Sequence, residues 1–227
     1  MVQQLRLYYA PDNASLCIRL ALEEMGIAFE TILVDRRVNQ QRSPEFLELN
    51  PNGLIPVLVT PSGPIYETAA ILLWLADQDA GEMFPAPEAR ARQDALTWLF
   101  WLSNTFHPAL RMLFYPDQFI GGDEDALRVR TRARLQSYLQ QLNNKADWLK
   151  SDRPSILKCY LAPMLRWAAL YGGDTAWFDL SKYPNLLAFA QRIDQRQSAM
   201  QASRAEGLGQ TPFSAPSLPN PPEGSAT

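Results

Sequence analysis

The residues best suited to binding a small polar ligand lie in the stretch NPNGLIPVLVTPSGPIYETAAILLWLA, positions 50–76. Pro56 stands where a strand should begin, and a proline cannot donate a hydrogen bond to a neighbouring strand. A cis peptide between Ile55 and Pro56 would turn the backbone amide and carbonyl of Ile55 toward a ligand with peptide-like groups. A trans proline on an edge strand is the alternative that this local pattern leaves open.

Glu67 and Thr68 directly precede an apolar helical pattern. The amides of a helix N-terminus, the Thr68 hydroxyl and the helix dipole would together bind a carboxylate. Glu67, beside them, could bind an ammonium group. The same two residues also fit an ordinary helix cap, which is the alternative interpretation.

Other reactive side chains are few. Cys17 and Cys159 lie 142 positions apart, without the spacing of a zinc site or a disulfide framework. His107 is the single histidine, and the sequence contains no GxGxxG or GxxxxGK[ST] loop to hold a phosphate. We therefore expect no bound metal.

Composition limits the partners of the chain. Its 227 residues are 47% hydrophobic and carry a net charge of −3, without a basic cluster. A nucleic acid or an anionic membrane surface is therefore not an expected partner. No apolar run is long enough to span a membrane and the N-terminus lacks a signal-peptide pattern, so we expect a cytoplasmic protein.

Two kinds of periodicity divide the chain. The first 80 residues alternate strand and helix patterns in the order βαβαββα. Helical spacing alone follows, at 88–115, 123–150, 155–171 and 184–198. Gly81, Pro85 and Pro87 interrupt any continuous helix and place the boundary near residue 83. The sequence predicts an α+β domain at 1–82 and an all-α domain at 83–205. The last segment, 206–227, has five prolines in its final 17 residues and is predicted to be disordered.

These motifs resemble the glutathione transferase family over roughly residues 4 to 200. NPNGLIPVL matches the family's asparagine-proline, glycine and apolar-proline pattern, and ET matches its glutamate followed by serine or threonine. The resemblance implies a thioredoxin-like domain that binds glutathione, followed by a helical-bundle domain that binds the acceptor substrate. It also implies that Ile55, before Pro56, pairs with the cysteinyl part, that Glu67 and Thr68 hold the γ-glutamyl end, and that Asn52 is a weaker contact.

The segment LYYAPDNASL is most similar to LYYSPGACSL of the bacterial beta class, and Ala14 falls where that class has its reactive cysteine. Cys17 comes nearly one helical turn later and is interpreted as a buried structural thiol. The resemblance then assigns the glutathione sulfur to the start of the first helix. Ser15 is the first candidate to donate a hydrogen bond to it, Asn13 the second and Tyr8 the third; a simple capped helix start is the alternative for Asn13 and Ser15.

In the helical domain, FHPALRMLFYP lines up with LHKGFTPLFRP of the beta class. This alignment places His107 where that class has a histidine near its active site. Arg111 and Phe114 are candidates for the acceptor-substrate site together with His107, because one face of residues 98–115 carries a mixture of aromatic and polar side chains that is too polar for a plain core: Phe100, Ser103, Asn104, His107, Arg111 and Phe114. His107 would handle a proton or orient a group. The alternatives are a histidine hydrogen-bonded between helices and a surface or structural arginine.

One departure from the family concerns stability. The family commonly begins its buried helix in the second domain with S/T-x-x-D, whereas SILKCYLAPM has Lys158 at the acidic position. The reciprocal capping bond is lost, which predicts a local penalty of about 0.5–2 kcal/mol.

The leading hypothesis is a homodimeric glutathione transferase. It would activate the thiol of glutathione as a thiolate, which attacks a small hydrophobic electrophile or a peroxide. The dimer follows from the resemblance and from the apolar surface of the TAAILLWLA helix. A glutathione-binding protein without efficient catalysis, an adaptor without a ligand and a glutathione-dependent disulfide reductase are the alternatives.

Overall fold

The strand patterns near the N-terminus form one four-stranded mixed sheet. The structure is a computed structural model that describes residues 4–79 and 81–226. The sheet order is β2-β1-β3-β4, with β1 and β2 parallel and the other neighbours antiparallel. The strands are β1 (Leu5–Tyr9), β2 (Phe29–Leu33), β3 (Val57–Thr60) and β4 (Gly63–Tyr66).

Helices cover both faces of this sheet, because successive side chains of β1 point to opposite faces and both faces carry apolar residues. Leu7 and Tyr9 belong to the main core with the first and third helices, whereas Tyr8 packs on the opposite face with Phe46 of the second helix. These helices are α1 (Ser15–Glu24), α2 (Pro44–Leu49) and α3 (Thr68–Asp77). The predicted order βαβαββα and the thioredoxin-like architecture are confirmed.

The secondary structure between residues 92 and 206 is helical, as predicted, and residues 207–226 form turns and irregular chain. The described residues between α3 and the next helix form turns and bends, and the proposed boundary at 83 lies among them. The helices are α4 (Arg92–Trp101), α5 (His107–Phe114), α6 (Glu124–Lys145), α7 (Ile156–Leu170), α8 (Pro184–Asp194) and α9 (Gln197–Glu206). Within the described ranges, none of the helices combines the length and the apolar character needed to cross a bilayer.

A π-helical segment, Leu102–Phe106, joins α4 to α5. The N–H of His107 donates to the carbonyl of Leu102, five residues earlier. Pro108 follows immediately, and a proline has no N–H to continue the α-helical pattern. The extra residue in this turn therefore allows Pro108 to lie within a continuous helical segment. The sequence pattern predicts a single helix over 88–115 and does not indicate this π turn.

The prediction that residues 206–227 are disordered is wrong for the described part of that segment. Phe213 is only 1% exposed, and its N–H donates to Asp194 over 2.9 Å. The guanidinium of Arg166 donates to the carbonyls of Leu208 (3.2 Å), Pro212 (3.1 Å) and Ser217 (2.9 Å). Side chains of the helical domain thus supply hydrogen bonds beyond the few that this proline-rich segment makes within itself. Thr227 lies outside the described residues.

Lys158 is buried at the start of α7 and replaces the lost capping bond by another contact. The Ser155 hydroxyl still accepts from the Lys158 N–H, at 3.4 Å. The Lys158 ammonium turns back to the preceding loop, where it donates to the carbonyl of Arg153 over 2.6 Å and to that of Ser151. The loop is therefore held to the helix by the residue that was expected to weaken it.

Candidate functional site

One end of the sheet gathers the predicted glutathione-binding segments. The register pairs Tyr8 with Val57 and Val57 with Tyr66. The chain therefore leaves β1, enters β3 and leaves β4 at the same end, where neighbouring strands are about 4.8 Å apart. The turn before α1, the Ile55–Pro56 peptide and the Glu67–Thr68 pair consequently meet there.

The Ile55–Pro56 peptide is cis, so the chain adopts the cis form and not the trans edge-strand proline. Ile55 is partly buried against the cluster that contains Phe46, and Pro56 is buried. Within the part of the chain that the structure describes, the N–H and C=O of Ile55 have no hydrogen-bond partner. Ile55 therefore offers the backbone donor and acceptor expected of a peptide-binding residue.

Glu67 and Thr68 begin α3 as the sequence predicts. Thr68 is the first helical residue and is buried, while Glu67 before it is exposed and makes no side-chain cap bond. Glu67 has a φ of 72°, a left-handed value that is costly for a residue with a β-carbon. The carboxylate of Glu67 therefore does not cap the helix amides. This observation argues against the interpretation of Glu67 and Thr68 as an ordinary helix cap.

The N-terminus of α1 is also uncapped by a side chain. Ala14 is the N-cap residue, and in the described chain the N–H groups of Ala14 and Ser15 have no partner. The first N–H groups of a helix carry partial positive charge and favour an anion. Asn13 directly before them is half-buried, and its side-chain amide donates to the carbonyl of Ala226 over 3.1 Å.

The geometry does not support Ser15 as the first-choice donor to sulfur. Its side chain is completely buried at the first position of α1. The hydroxyl donates to the carbonyl of Ala10 over 3.1 Å and accepts from the Ala10 N–H over 3.3 Å. Ser15 therefore closes the turn between β1 and α1, and its proton is already engaged.

Two other predicted residues lie apart from the start of α1. Tyr8 packs edge-on against Phe46 on the far face of the sheet, with ring centroids 6.0 Å apart. Asn52 is exposed in the loop before Pro56, where its carbonyl accepts from Arg42 over 3.1 Å. Neither side chain is brought to the uncapped amides of α1.

Asp12 joins the turn to the helical domain through side chains that sequence reasoning missed. One carboxylate oxygen accepts from Arg166 (2.9 Å) and Trp167 (3.0 Å), and the other accepts from the Tyr171 hydroxyl at 2.6 Å. The Asp12 N–H donates to Glu206 over 2.8 Å. These groups are far apart in sequence, so only the polar turn itself is visible as a local signal. The network fixes the position of Asn13 and Ala14, which follow directly.

His107 is largely buried between helices. Its Nδ1 lies 3.0 Å from the Tyr160 hydroxyl, and its ring centroid is 5.7 Å from that of Trp167. Burial, assisted by the positive charge of Arg111, lowers the pKa of His107 to about 4. His107 is therefore a neutral, hydrogen-bonded imidazole at pH 7, which matches the alternative interpretation.

The other acceptor-site candidates diverge. The Phe114 ring meets that of Tyr171 at 6.1 Å, which brings it one side chain away from Asp12. The Arg111 guanidinium instead donates to Gln118 over 3.2 Å at an exposed position. Phe114 and His107 both contact side chains that bind Asp12, while Arg111 lies outside this group of contacts.

Both cysteines are buried and carry no disulfide. Cys17 is wholly buried in α1 and its thiol points to the Tyr160 carbonyl at 3.8 Å. Burial raises the pKa of both thiols well above the ordinary value. The structural interpretation of Cys17 agrees with this environment.

Comparison with known proteins gives the same two-part division. Residues 14–78 match the family model of the glutathione S-transferase N-terminal domain, and residues 102–197 match that of the C-terminal domain. Glutathione S-transferase GST-4.5 of Xanthomonas campestris is 31% identical over 212 residues, which cover 90% of this chain and all of that protein. Disulfide-bond oxidoreductase YfcG of Escherichia coli is 30% identical over 214 residues, covering 89% and 96% of the two chains.

A solved structure supports the relationship. The structure of a sphingomonad glutathione S-transferase complexed with glutathione is 33% identical and superposes with a TM-score of 0.74, covering 90% of this chain and 100% of the other. Since sequence, domain order and fold agree over nearly the whole described chain, this protein belongs to the glutathione S-transferase family.

Proposed function

We propose that this protein is a glutathione transferase that binds glutathione at the end of the sheet and activates its thiol for attack on a small hydrophobic electrophile or a peroxide. The observation that carries the proposal is the uncapped start of α1, with the Ala14 and Ser15 amides unpartnered among the described residues. A thiolate placed there would accept hydrogen bonds from these amides and gain from the helix dipole.

The rest of the site fits a tripeptide. The backbone of Ile55 would pair with the cysteinyl residue, and the start of α3 at Thr68 would receive the γ-glutamyl carboxylate. Exposed Glu67 would bind the γ-glutamyl ammonium group. Asn13 replaces Ser15 as the side-chain donor to sulfur, because its amide has a second N–H besides the one that Ala226 accepts, whereas Ala10 takes the only proton of the Ser15 hydroxyl.

The acceptor substrate would lie between α5 and the turn before α1, with Phe114 as an apolar wall. A neutral His107 cannot stabilise a negative charge as a cation at pH 7; it would hold Tyr160 and Trp167 in place beside the turn. The reaction then needs only a lowered thiol pKa and two reactants held together.

The proposal is tested by titrating the thiolate absorbance of bound glutathione in wild type, Asn13→Ala and Ser15→Ala. We expect the wild-type complex to titrate well below the free thiol value of about 8.5. Loss of one hydrogen bond to the charged sulfur should raise this pKa by roughly one unit in Asn13→Ala. Ser15→Ala should keep the low pKa but lose stability, since Ala10 loses two hydrogen bonds.

The outcomes separate the candidates. An unshifted thiol in the wild-type complex would favour a glutathione-binding protein without efficient catalysis, and absence of glutathione binding would favour an adaptor. A pKa that rises in Ser15→Ala alone would return the donor role to Ser15.

A disulfide reductase is the second candidate, since a disulfide-bond oxidoreductase is among the relatives. Cys17 is fully buried and Cys159 is 6% exposed, so neither thiol can form a mixed disulfide without local opening. Glutathione thiolate would instead attack the substrate disulfide, releasing one thiol, and a second glutathione would release the other and leave glutathione disulfide. Turnover of a small disulfide by a Cys17→Ala, Cys159→Ala double variant would support this route.

A further inference from the structure

The C-terminal segment reaches from the helical domain to the candidate site. Its first part, residues 208–217, is held by Arg166, which donates to three of its carbonyls, and by the burial of Phe213. The Asn220 N–H then donates to the carbonyl of Gly207 over 2.8 Å. The chain turns back there, and we call residues 219–226 the strap.

The strap lies across the end of the sheet where the site is. The carbonyl of Ala226 accepts from the Asn13 side-chain amide at 3.1 Å and from the Arg36 guanidinium at 2.7 Å. The hydroxyl of Tyr9, the last residue of β1, donates to the Glu223 carboxylate. Burial and the neighbouring negative charge raise the pKa of Tyr9, so the phenol stays protonated as the donor.

Close packing adds to these polar contacts at Gly207, where an added β-carbon would overlap the backbone of Asn220, and at Gly224. A β-carbon added to Gly224 would lie 2.7 Å from the Cδ1 atom of Leu33 and 3.2 Å from Pro11. Gly224 also has a φ of 71°, which glycine adopts readily and other residues do not. The strap is therefore seated by close packing at these two glycines, by the bond between Asn220 and Gly207, and by the side chains of Tyr9, Asn13 and Arg36. The preceding segment is held by buried groups.

The occupied donor matters because Asn13 is the side chain assigned to the glutathione sulfur. Ala226 accepts from one of the two N–H groups of this amide and fixes the orientation of the other. The Ala226 carbonyl and the glutathione sulfur would therefore compete for the same side chain beside the start of α1.

We propose that the strap is an internal peptide ligand of the Asn13–Arg36 pair that must leave before glutathione can bind productively. This proposal rests on the proposed function for its ligand. Because the strap is tethered, it lowers the fraction of chains that can bind glutathione, and the apparent dissociation constant rises as that fraction falls. A strap seated nine-tenths of the time would raise it about tenfold.

Three variants of the full protein test this. A chain that ends at Leu218 removes the strap but keeps residues 208–217. Gly224→Leu keeps the whole chain but cannot seat the strap. Gly122→Leu is the matched control, since a β-carbon there meets nothing within 4 Å. Glutathione affinity is measured by calorimetry, and deuterium uptake of residues 10–16 is measured without ligand.

The expected result is that the shortened chain and Gly224→Leu bind glutathione about tenfold more tightly than wild type and Gly122→Leu, with faster deuterium uptake at residues 10–16. Equal affinity in all four proteins would overturn the proposal, as would weaker binding after shortening, which would make the strap a lid. If none of the proteins binds glutathione, the proposed function fails and the competition with it. Faster uptake in that case would show only that the strap is seated on the turn.

Discussion

At the scale of single residues, His107 makes the pH dependence of stability predictable. Its pKa is about 4 in the folded chain, against an ordinary 6.5. As the pH falls below 6.5, the unfolded chain binds this proton first, so folding loses stability progressively down to pH 4. The loss from this residue should reach about 2 kcal/mol at pH 5.

Urea unfolding at pH 7 and pH 5 measures this contribution. His107→Gln cannot titrate, although its amide can still bind the Tyr160 hydroxyl. The difference in unfolding free energy between the two pH values should therefore be about 2 kcal/mol smaller in the variant than in wild type. Equal differences would show that His107 is protonated as easily in the folded chain as in the unfolded one.

Residue types were easier to predict than side-chain directions. NPNGLIPVL predicted that Pro56 stands at the start of a strand, because proline cannot donate to a neighbouring strand, but it left the cis and trans forms of the Ile55–Pro56 peptide open; the chain adopts the cis form. Ser15 and Asn13 are both residue types that are common at a helix start. The types alone do not indicate which of the two side chains makes its hydrogen bond within the turn. That depends on the Ala10 backbone, whose position the β1–α1 packing decides.

At the scale of elements, Asp12 holds the turn before α1 against α7. Asp12→Asn keeps the shape but leaves the fully buried Arg166 without its ionic partner. Breaking a buried pair on one side costs about 3–5 kcal/mol, because an uncompensated charge remains. We expect that loss in denaturant unfolding, together with weaker glutathione binding.

The exposed pair of Asp35 and Arg37 provides the control for Asp12. Asp35→Asn removes the same kind of charge where water solvates both partners, so little change in stability is expected. A small effect of Asp12→Asn, similar to that of Asp35→Asn, would mean that Arg166 is adequately held by the three carbonyls of the C-terminal segment.

Lys158 gives a second prediction at this scale. Lys158→Met keeps most of the side-chain volume but removes the donor to the Ser151 and Arg153 carbonyls. The variant should unfold about 1–3 kcal/mol more easily, since two carbonyls lose a charged partner. Differential denaturant unfolding measures this, with Lys150→Met, an exposed lysine, as the control. Unchanged stability would mean that the Ser155 cap alone secures the loop.

Helical periodicity predicted where helical segments lie and missed how they connect. The 88–115 pattern is one amphipathic run, yet the chain inserts a π turn at Leu102–Phe106 ahead of Pro108. Likewise, the proline-rich composition after residue 206 suggested disorder, because few apolar residues are present. The partners that order this segment, Arg166 and Asp194, are distant in sequence and interact with its backbone, which composition does not record.

At the scale of the whole molecule, the remaining prediction concerns assembly. Family resemblance implies a homodimer, and the apolar helix α3 leaves Leu73 and Trp74 only partly buried. On α4, Phe100 is 51% exposed, an unusual position for a large aromatic side chain in an isolated chain. We expect wild type to be a dimer in solution with Phe100 in the interface.

Light scattering after size exclusion tests this with two charge insertions. A two-fold interface repeats every substitution on both chains, so Phe100→Glu would place two carboxylates in one apolar contact and weaken the dimer. Val129→Glu inserts the same charge on α6 at a side chain that is 63% exposed and should leave the mass unchanged. A wild-type monomer would end the dimer prediction, and a stable Phe100→Glu dimer would move the interface away from α4. Loss of the dimer in Phe100→Glu alone would identify this face as the one that pairs, because the added charge is the same in both variants.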